Sequence, residues 1–337
     1  MYFIKRDSVD GRLLIWKITT QAIADSPWGV EGGKTFSAFY GDVQERYFTD
    51  CKYSDSEAWV AGTPDFAFNE YLQIAVEYGV WGSVLFVTVL LMLLKIAGNC
   101  KHLAGMGGCL VSLMVFACFS YPIHIPAIVS IWSLVVIVLC GEGLVMMKYR
   151  LIPKIVLLSV VASGLIVSIK IHDWYSIRTQ AVREWMPARV LYNSGTFKAA
   201  VKEYGKFYER MNWHKDFCFE YGRALYIAGS YGKAEEILLE ALTVSGDPMI
   251  LNILGRNAQE RGEYEKAEKY LIRSTHRLPE RIYPHYLLVK LYSESEYFNR
   301  IKLIKEAKYV LNAKPKVNSI AIKEMRQEVK KILKDKT

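Results

Sequence analysis

The feature that most constrains this chain is a block of apolar sequence running from about residue 72 to residue 171. The chain has 337 residues and is 52% hydrophobic, and its charged residues are concentrated on either side of this block. A helix that crosses a bilayer needs about 20 mostly apolar residues, and the block has room for four such helices. The sequence therefore predicts an all-α integral membrane protein.

Four spans are predicted, and the charges in their loops predict their orientation. The first span covers Val80–Leu94, with an upstream extension through Leu72–Tyr78. The other three cover Leu103–Tyr121, Ile125–Gly141 continuing to Met147, and Ile155–Ile169. The first and third loops carry Lys and Arg, whereas the Tyr121–Pro126 loop carries neither. Positively charged loops stay in the cytoplasm. The Tyr121–Pro126 loop and both chain termini are therefore predicted to be extracytoplasmic.

Positive charge is concentrated at the C-terminal end of the chain. Residues 301–337 hold eleven Lys or Arg against four Asp or Glu, within a formal net charge of +9. Two interpretations are open, a solvated helix or a surface attracted to phosphate-rich membrane or glycolipid. Nucleic acid is not an expected partner, because no nucleic-acid-binding motif accompanies the charge. The six cysteines contain no CxxC pair, so neither a metal site nor thiol redox chemistry is expected.

A repeat with a period of 33–34 residues follows the apolar block. Its copies are Gly195-Thr196-Phe197, Gly229-Ser230-Tyr231, Gly262-Glu263-Tyr264 and the degenerate Ser295-Glu296-Tyr297. Gly222 and Gly255 precede the second and third glycines by seven residues. This pattern resembles the tetratricopeptide repeat, an α-solenoid of stacked helical hairpins that usually binds a partner protein. We therefore predict three domains: 1–71 as an extracytoplasmic segment, 72–171 as the transmembrane domain and 172–337 as the repeat domain.

The N-terminal segment carries several short motifs in a distinctive order. They are an amphipathic helix that begins with Gly11–Ile18 and runs to Asp25, a glycine-rich turn at Ser26–Gly33, Asn69-Glu70-Tyr71-Leu72, and Glu77-Tyr78-Gly79 leading into the first span. This order, with the trailing repeats, resembles the C-terminal half of the O-antigen ligase and O-antigen polymerase family. Family members place further spans before this region, whereas Met1 lies close to the Arg12 helix. A fragment, a split gene product that needs a partner, and a misassigned start are the alternatives.

The resemblance implies a glycosyltransferase of the bacterial inner membrane. Such an enzyme transfers glycan from a polyprenyl pyrophosphate to an acceptor hydroxyl on a glycolipid or glycan, in synthesis of the cell envelope. It needs no cofactor, because the pyrophosphate is already an activated leaving group. The implied partners are the lipid-linked glycan, its acceptor, membrane lipid and a protein bound by the repeats. The alternative is a non-catalytic, membrane-anchored repeat scaffold for envelope assembly.

Candidate substrate-binding residues follow from this resemblance. The permanently charged guanidinium of Arg12 is suited to hold the pyrophosphate through bidentate hydrogen bonds. Its alternative role is an interface anchor on an amphipathic helix. Arg46 is a second candidate and Lys34 a third, although a solvated lysine in a turn is an equally simple interpretation. Asn69 and Tyr71 match the family's Asn-x-Tyr-Leu motif.

The catalytic base is less clearly indicated. Family ligases commonly have His before the motif Asn, and this chain has Phe68, which cannot transfer a proton. Glu70 and Glu77 are candidates to replace it if burial raises the pKa of either carboxyl group. A carboxylate at the start of a helix also has a purely structural explanation. His124, in the loop predicted to face the same side, is a further candidate.

Overall fold

The computed structural model of the chain describes residues 6–30, 34–50, 53–146, 173 and 175–336, and only the backbone of residues 143–146. These residues form helices joined by turns, without a strand among them, which confirms the all-α prediction for the described part. In chain order the helices are α1 (Arg6–Asp25), α2 (Phe36–Thr49), α3 (Asp55–Val60), α4 (Glu70–Asn99), α5 (Ala104–Ala117), α6 (Pro126–Met146), α7 (175–193), α8 (Phe197–Met211), α9 (Lys215–Ile227), α10 (Tyr231–Val244), α11 (Pro248–Glu260), α12 (Tyr264–Arg277), α13 (Ile282–Ser293), α14 (Arg300–Asn312) and α15 (Ile320–Lys336).

The chain divides into two compact units, and each unit combines segments that are distant in sequence. The repeat unit consists of Met1–Leu14, Gly33–Pro64 and Arg183–Thr337. The apolar unit consists of Ile15–Gly32 and Asp65–Val182. The division into 1–71, 72–171 and 172–337 stays a prediction.

Helical hairpins of similar construction make up most of the repeat unit. Gly195, Gly229 and Gly262 lie in the turns that join the two helices of successive hairpins, with φ values of 79°, 83° and 74°. Because a side chain strains this left-handed conformation, the turn selects glycine. The glycines that recur every 33–34 residues are thus explained by the geometry of the turn.

A second pair of glycines lets the helices within a hairpin approach closely. A Cβ atom built on Gly222 would lie 2.6 Å from the side chain of Leu238, and one on Gly255 would lie 2.7 Å from Leu271. Each contact joins two residues that are 16 apart in sequence, and the second contact lies 33 residues after the first. They are the packing contacts expected of a helical-hairpin repeat.

Helix α2 packs against the repeats within the same unit. The Thr35 backbone N–H donates to Thr243 O (3.1 Å), and its hydroxyl donates to Val244 O (2.9 Å). A Cβ atom on Gly41 would lie 2.8 Å from the Cα of Gly246, so the two backbones are in close contact. Part of the repeat surface is therefore covered by the chain itself. A separate protein partner for the repeats stays a prediction.

A buried arginine holds α2 in this position. Arg277 of α12 is only 1% exposed, and it donates to Asp42 Oδ1 (2.5 Å), Glu45 Oε2 (3.1 Å) and Gly246 O (3.2 Å). The backbone carbonyl of Arg277 in turn accepts a hydrogen bond from Gln44 Nε2 (2.5 Å). A buried guanidinium is stable only when its donors are satisfied, and α2 supplies most of the acceptors here.

Three helices form the core of the apolar unit. Leu90 and Leu93 of α4, Leu110 of α5, and Val135 and Leu139 of α6 are all buried in one hydrophobic cluster. The opposite faces of these helices expose large apolar side chains, among them Leu85, Val115 and Ile137. Apolar side chains on both faces are typical of helices that lie in a bilayer.

The prediction of four spans is not confirmed. Among the described residues, α4 is the one helix long and apolar enough to cross a membrane. The apolar stretches Lys101–Ala117 and Pro126–Glu142 are shorter, and the predicted span at Ile155–Ile169 lies outside the described residues. The orientation of the unit stays a prediction.

Helix α4 bends sharply at Gly79, which has φ 76° and ψ 171°. Ser83 Oγ donates to Tyr71 O at 3.1 Å, although residues 12 apart in a straight helix are separated by about 18 Å along its axis. Residues 70–78 therefore run back alongside the start of residues 80–99. The upstream extension expected through Leu72–Tyr78 is helical, but it does not continue the axis of the span.

Candidate active site at the start of helix α4

Asn69 joins the start of α4 to the end of α5. Its Oδ1 accepts a hydrogen bond from the Leu72 N–H (3.1 Å) and so caps the helix, while its Nδ2 donates to Cys118 O (3.1 Å). Tyr71 adds a second link, because its hydroxyl donates to Met114 O (3.1 Å). Backbone carbonyls in the last turn of a helix have no partner within it, and these side chains supply one. Their proposed contact with substrate stays a prediction.

The loop before Asn69 is held by buried hydrogen bonds. Gln73 is 3% exposed, and its Oε1 accepts from the Ala67 N–H (2.7 Å). The indole N–H of Trp16 donates to Ala67 O (3.0 Å), so both backbone groups of Ala67 are paired. The next residue, Phe68, has a φ of 53°, a strained conformation for an aromatic residue. The position where family ligases have His is thus rigidly placed but has no titratable group.

Glu70 positions the loop between α5 and α6. Its side chain is buried, and its Oε1 accepts a hydrogen bond from the backbone N–H of Ile123 at 2.8 Å. Burial raises the pKa of Glu70 to about 7, although the hydrogen bond from Ile123 acts in the opposite direction. Because Ile123 directly precedes His124, the carboxylate of Glu70 fixes the backbone that carries the His124 ring.

His124 lies on the exposed side of this loop. Its ring packs on Phe66, with centroids 4.5 Å apart, and Phe66 stacks on Tyr121 at 4.6 Å. Partial burial lowers the pKa of His124 from its ordinary value, while the negative charge of Glu77 acts in the opposite direction. The Glu77 carboxylate is itself held by a hydrogen bond from Gln73 Nε2 (2.6 Å).

The three candidate bases are therefore brought into one region. Glu70 is directed inward at the backbone, whereas His124 is exposed and lies within the electrostatic influence of Glu77. An imidazole with a lowered pKa is neutral near pH 7 and accepts a proton, and a nearby carboxylate stabilises the imidazolium that forms. The role of any of the three as a base stays a prediction.

The candidate anion-binding residues lie in the repeat unit. Arg12 is exposed on α1, and Arg46 is exposed in the last turn of α2. Lys34 forms an ion pair with Asp42 of α2, with Nζ and Oδ2 2.6 Å apart. Lys34 is therefore engaged with the chain, and its part in anion binding stays a prediction. The roles of Arg12 and Arg46 stay predictions.

Three potential metal ligands meet where α4 and α6 end. The ligand atoms of Cys100, His102 and Glu142 all lie within 4.8 Å of one another, and His102 Nε2 is 3.3 Å from Glu142 Oε1. The sequence analysis singled out none of these residues as ligands. Since the His102 side chain is 65% exposed, an ordinary surface ion pair explains the contact.

Sequence reasoning missed Gln73 and the proximity of Glu77 to His124. A Gln four residues before a Glu lies on the same helical face, and this spacing was a usable signal. The position of His124 near Glu77 has no signal in the sequence, because it depends on how α5 returns to the start of α4.

A comparison with known families covers Asn69, Glu70 and Tyr71 of this site, whereas His124 lies outside the match. A family model described as O-Antigen ligase matches residues 3–87, which include Arg12, Asn69, Glu70 and Tyr71. At the level of the family, this match supports a glycan ligase- or polymerase-type function in a membrane. Among solved structures, the crystal structure of MamA protein is similar at 19% sequence identity over 47% of this chain and 88% of that chain, with a TM-score of 0.36. No curated protein matches the chain.

Proposed function

We propose that this chain acts in a membrane glycosyltransferase that moves glycan from polyprenyl pyrophosphate to an acceptor hydroxyl, with His124 as the general base. The observation that carries the proposal is the exposed His124 ring on a loop that the buried Glu70 holds through the Ile123 N–H at 2.8 Å. The charge of Glu77 also acts on this ring. The O-Antigen ligase match across residues 3–87 supports the reaction class. In this proposal, His124 supplies the base that family ligases have at the position of Phe68.

The reaction needs one proton transfer and one displacement. The neutral imidazole of His124 removes the proton of the acceptor hydroxyl, and the acceptor oxygen forms a bond to the anomeric carbon. The bond from that carbon to the pyrophosphate oxygen breaks, and its electron pair leaves with the polyprenyl pyrophosphate. The Glu77 carboxylate stabilises the imidazolium until the proton is released.

Arg12 is proposed to hold the departing pyrophosphate, with Arg46 as a second candidate. An exposed guanidinium offers paired donors to phosphate oxygens and keeps its charge throughout the reaction. Replacement of Arg12 by Ala should abolish attachment of surface glycan in cells, while Arg12→Lys should retain part of it. An unchanged glycan profile in the Arg12→Ala cells would remove this role.

The base is tested by comparing His124 with Glu70. In membranes supplied with polyprenyl-pyrophosphate-linked oligosaccharide and acceptor, His124→Gln should lower the transfer rate about 100-fold or more, the usual contribution of a general base. Glu70→Gln should retain most activity, because the amide oxygen still accepts from the Ile123 N–H, whereas Glu70→Ala should lose it.

Two results would contradict this assignment. If Glu70→Gln is as inactive as His124→Gln, Glu70 is the base rather than the residue that positions the loop. If transfer is unaffected by His124→Gln and by Arg12→Ala, the chain is the non-catalytic scaffold.

A further inference from the structure

Three large aromatic side chains are exposed at the bend of α4. Trp28, Tyr78 and Trp81 are 78%, 70% and 66% exposed. They come from two segments about 50 residues apart in sequence, and both segments belong to the apolar unit. Exposed aromatic residues gathered in this way mark an interaction surface.

The backbone holds these residues together rigidly. In a straight helix the Val80 N–H would donate to Val76 O. At the bend the Val80 N–H instead donates to Pro27 O, and Val76 O accepts from the Val30 N–H, both at 2.9 Å. The turn at Pro27–Val30 thus replaces the hydrogen bond that the helix loses.

Close contact between two glycines completes the junction. Gly29 and Gly79 both have positive φ values, of 102° and 76°. A Cβ atom on Gly79 would lie 2.7 Å from the backbone of Trp28, and one on Gly29 would lie 2.9 Å from the backbone of Gly79. The bend therefore places the backbone of Trp28 against that of Gly79, which lies between Tyr78 and Trp81 in sequence.

The exposed aromatic residues continue into the apolar face of α4. Val84, Leu85, Leu91 and Met92 on the same helix are each between 49% and 65% exposed. Residues 80–99 extend about 30 Å, which equals the thickness of a bilayer's hydrocarbon core. The aromatic residues thus lie at one end of a helix segment that spans this thickness.

We propose that Trp28, Tyr78 and Trp81 form an interfacial anchor that seats the bend of α4 in the headgroup region of the bilayer. Trp and Tyr favour this region because their rings are apolar and their N–H and O–H groups reach water. Glu77 directly precedes the anchor in sequence. The anchor therefore holds Glu77 and its neighbour His124 at the depth of a lipid's phosphate groups, and this consequence rests on the proposed function.

The proposal is tested by measuring the depth of the tryptophans in the full chain. The protein is labelled with 5-fluorotryptophan and reconstituted in vesicles of phosphatidylcholine and phosphatidylglycerol. Trp28→Phe and Trp81→Phe assign the two fluorine resonances, and Trp213, between α8 and α9, is the matched control. Lipids that carry a nitroxide near the headgroup should broaden the Trp28 and Trp81 resonances and spare Trp213. A water-soluble paramagnetic chelate should broaden Trp213 most.

Two outcomes would overturn the anchor. Trp28 and Trp81 resonances that respond to the soluble chelate as strongly as Trp213 would place the bend in water. Resonances broadened by neither reagent would show that protein, such as a second copy of the chain, covers the surface. Neither measurement depends on transfer activity, so the two proposals can fail separately. An inactive His124→Gln variant with unchanged tryptophan depths would support both. An active chain whose bend is exposed to water would remove the anchor and leave the proposed function standing.

Discussion

Helix α2 and the Pro27–Val30 turn both belong to the segment that matches the O-Antigen ligase family, yet they are held by different kinds of interaction. Helix α2 is fixed by charged side chains, with Arg277 buried against Asp42 and Glu45. The turn is fixed by backbone hydrogen bonds and by close glycine contacts, both made with the bend of α4. A buried guanidinium is stable where carboxylates and carbonyls satisfy its donors, whereas an apolar environment requires that backbone groups pair with one another. The two contacts suit the polar and the apolar unit respectively.

The largest expected effect comes from removing the buried arginine. Arg277→Ala would remove the buried donor to Asp42 and Glu45, which keep only their partly exposed pairs with Lys34 and Arg273. Breaking a buried ion pair costs about 3–5 kcal/mol. We expect a clearly lower unfolding midpoint for the repeat unit, measured by circular dichroism of the full chain in detergent. The control is Arg261→Ala, which breaks exposed ion pairs with Glu235 and Glu263 worth about 0–1 kcal/mol. Equal midpoints for the two variants would show that α2 is not held by charge.

A smaller effect is expected from Gly79→Ala in the apolar unit. The new methyl group would overlap the backbone of Trp28 and occupy a left-handed conformation, at a combined cost of about 2–4 kcal/mol. The turn should detach from the bend, so proteases should cleave near Trp28 faster than in the parent chain. Gly98→Ala is the control, because a Cβ atom there meets nothing within 4 Å. Unchanged cleavage in Gly79→Ala would show that the glycine contact is not needed.

The smallest effect is a pH dependence of the stability of the repeat unit. His214 caps α9, with its Nδ1 accepting from the Phe217 N–H (3.4 Å), and burial lowers the pKa of His214. Since the folded pKa lies below the unfolded value of about 6.5, this contribution is complete above that pH and is lost as the pH falls through the folded pKa. The midpoint of the repeat unit should therefore decrease between pH 7.5 and pH 5.

His214→Asn provides the control for this titration. Asparagine is a good helix cap and carries no titratable group. The variant should show a shallower decrease on acidification than the parent chain. An identical slope in both proteins would assign the pH dependence to other groups, such as His276, whose pKa is also lowered by burial.

The sequence alone determined the helical class, the apolar block, the repeat period and the motif order that points to a glycan transferase. These properties are local, since an apolar stretch or a glycine turn of the kind at Gly229 can be recognised from neighbouring residues. The same reasoning named Asn69, Glu70 and His124 as candidates, and their roles stay predictions. It could not rank them, because burial and direction decide whether a carboxylate such as Glu70 faces substrate or a backbone N–H.

The tertiary structure decided the long-range contacts. Gly79 looks like a glycine within an apolar helix, and only the docking of Gly29 shows that the helix bends there and gathers Trp28, Tyr78 and Trp81. Likewise, 232 residues separate Glu45 from Arg277. Such pairs form because a buried charge, or a backbone group that has lost its helical hydrogen bond, needs a partner. Which distant residue supplies that partner depends on how the helices pack.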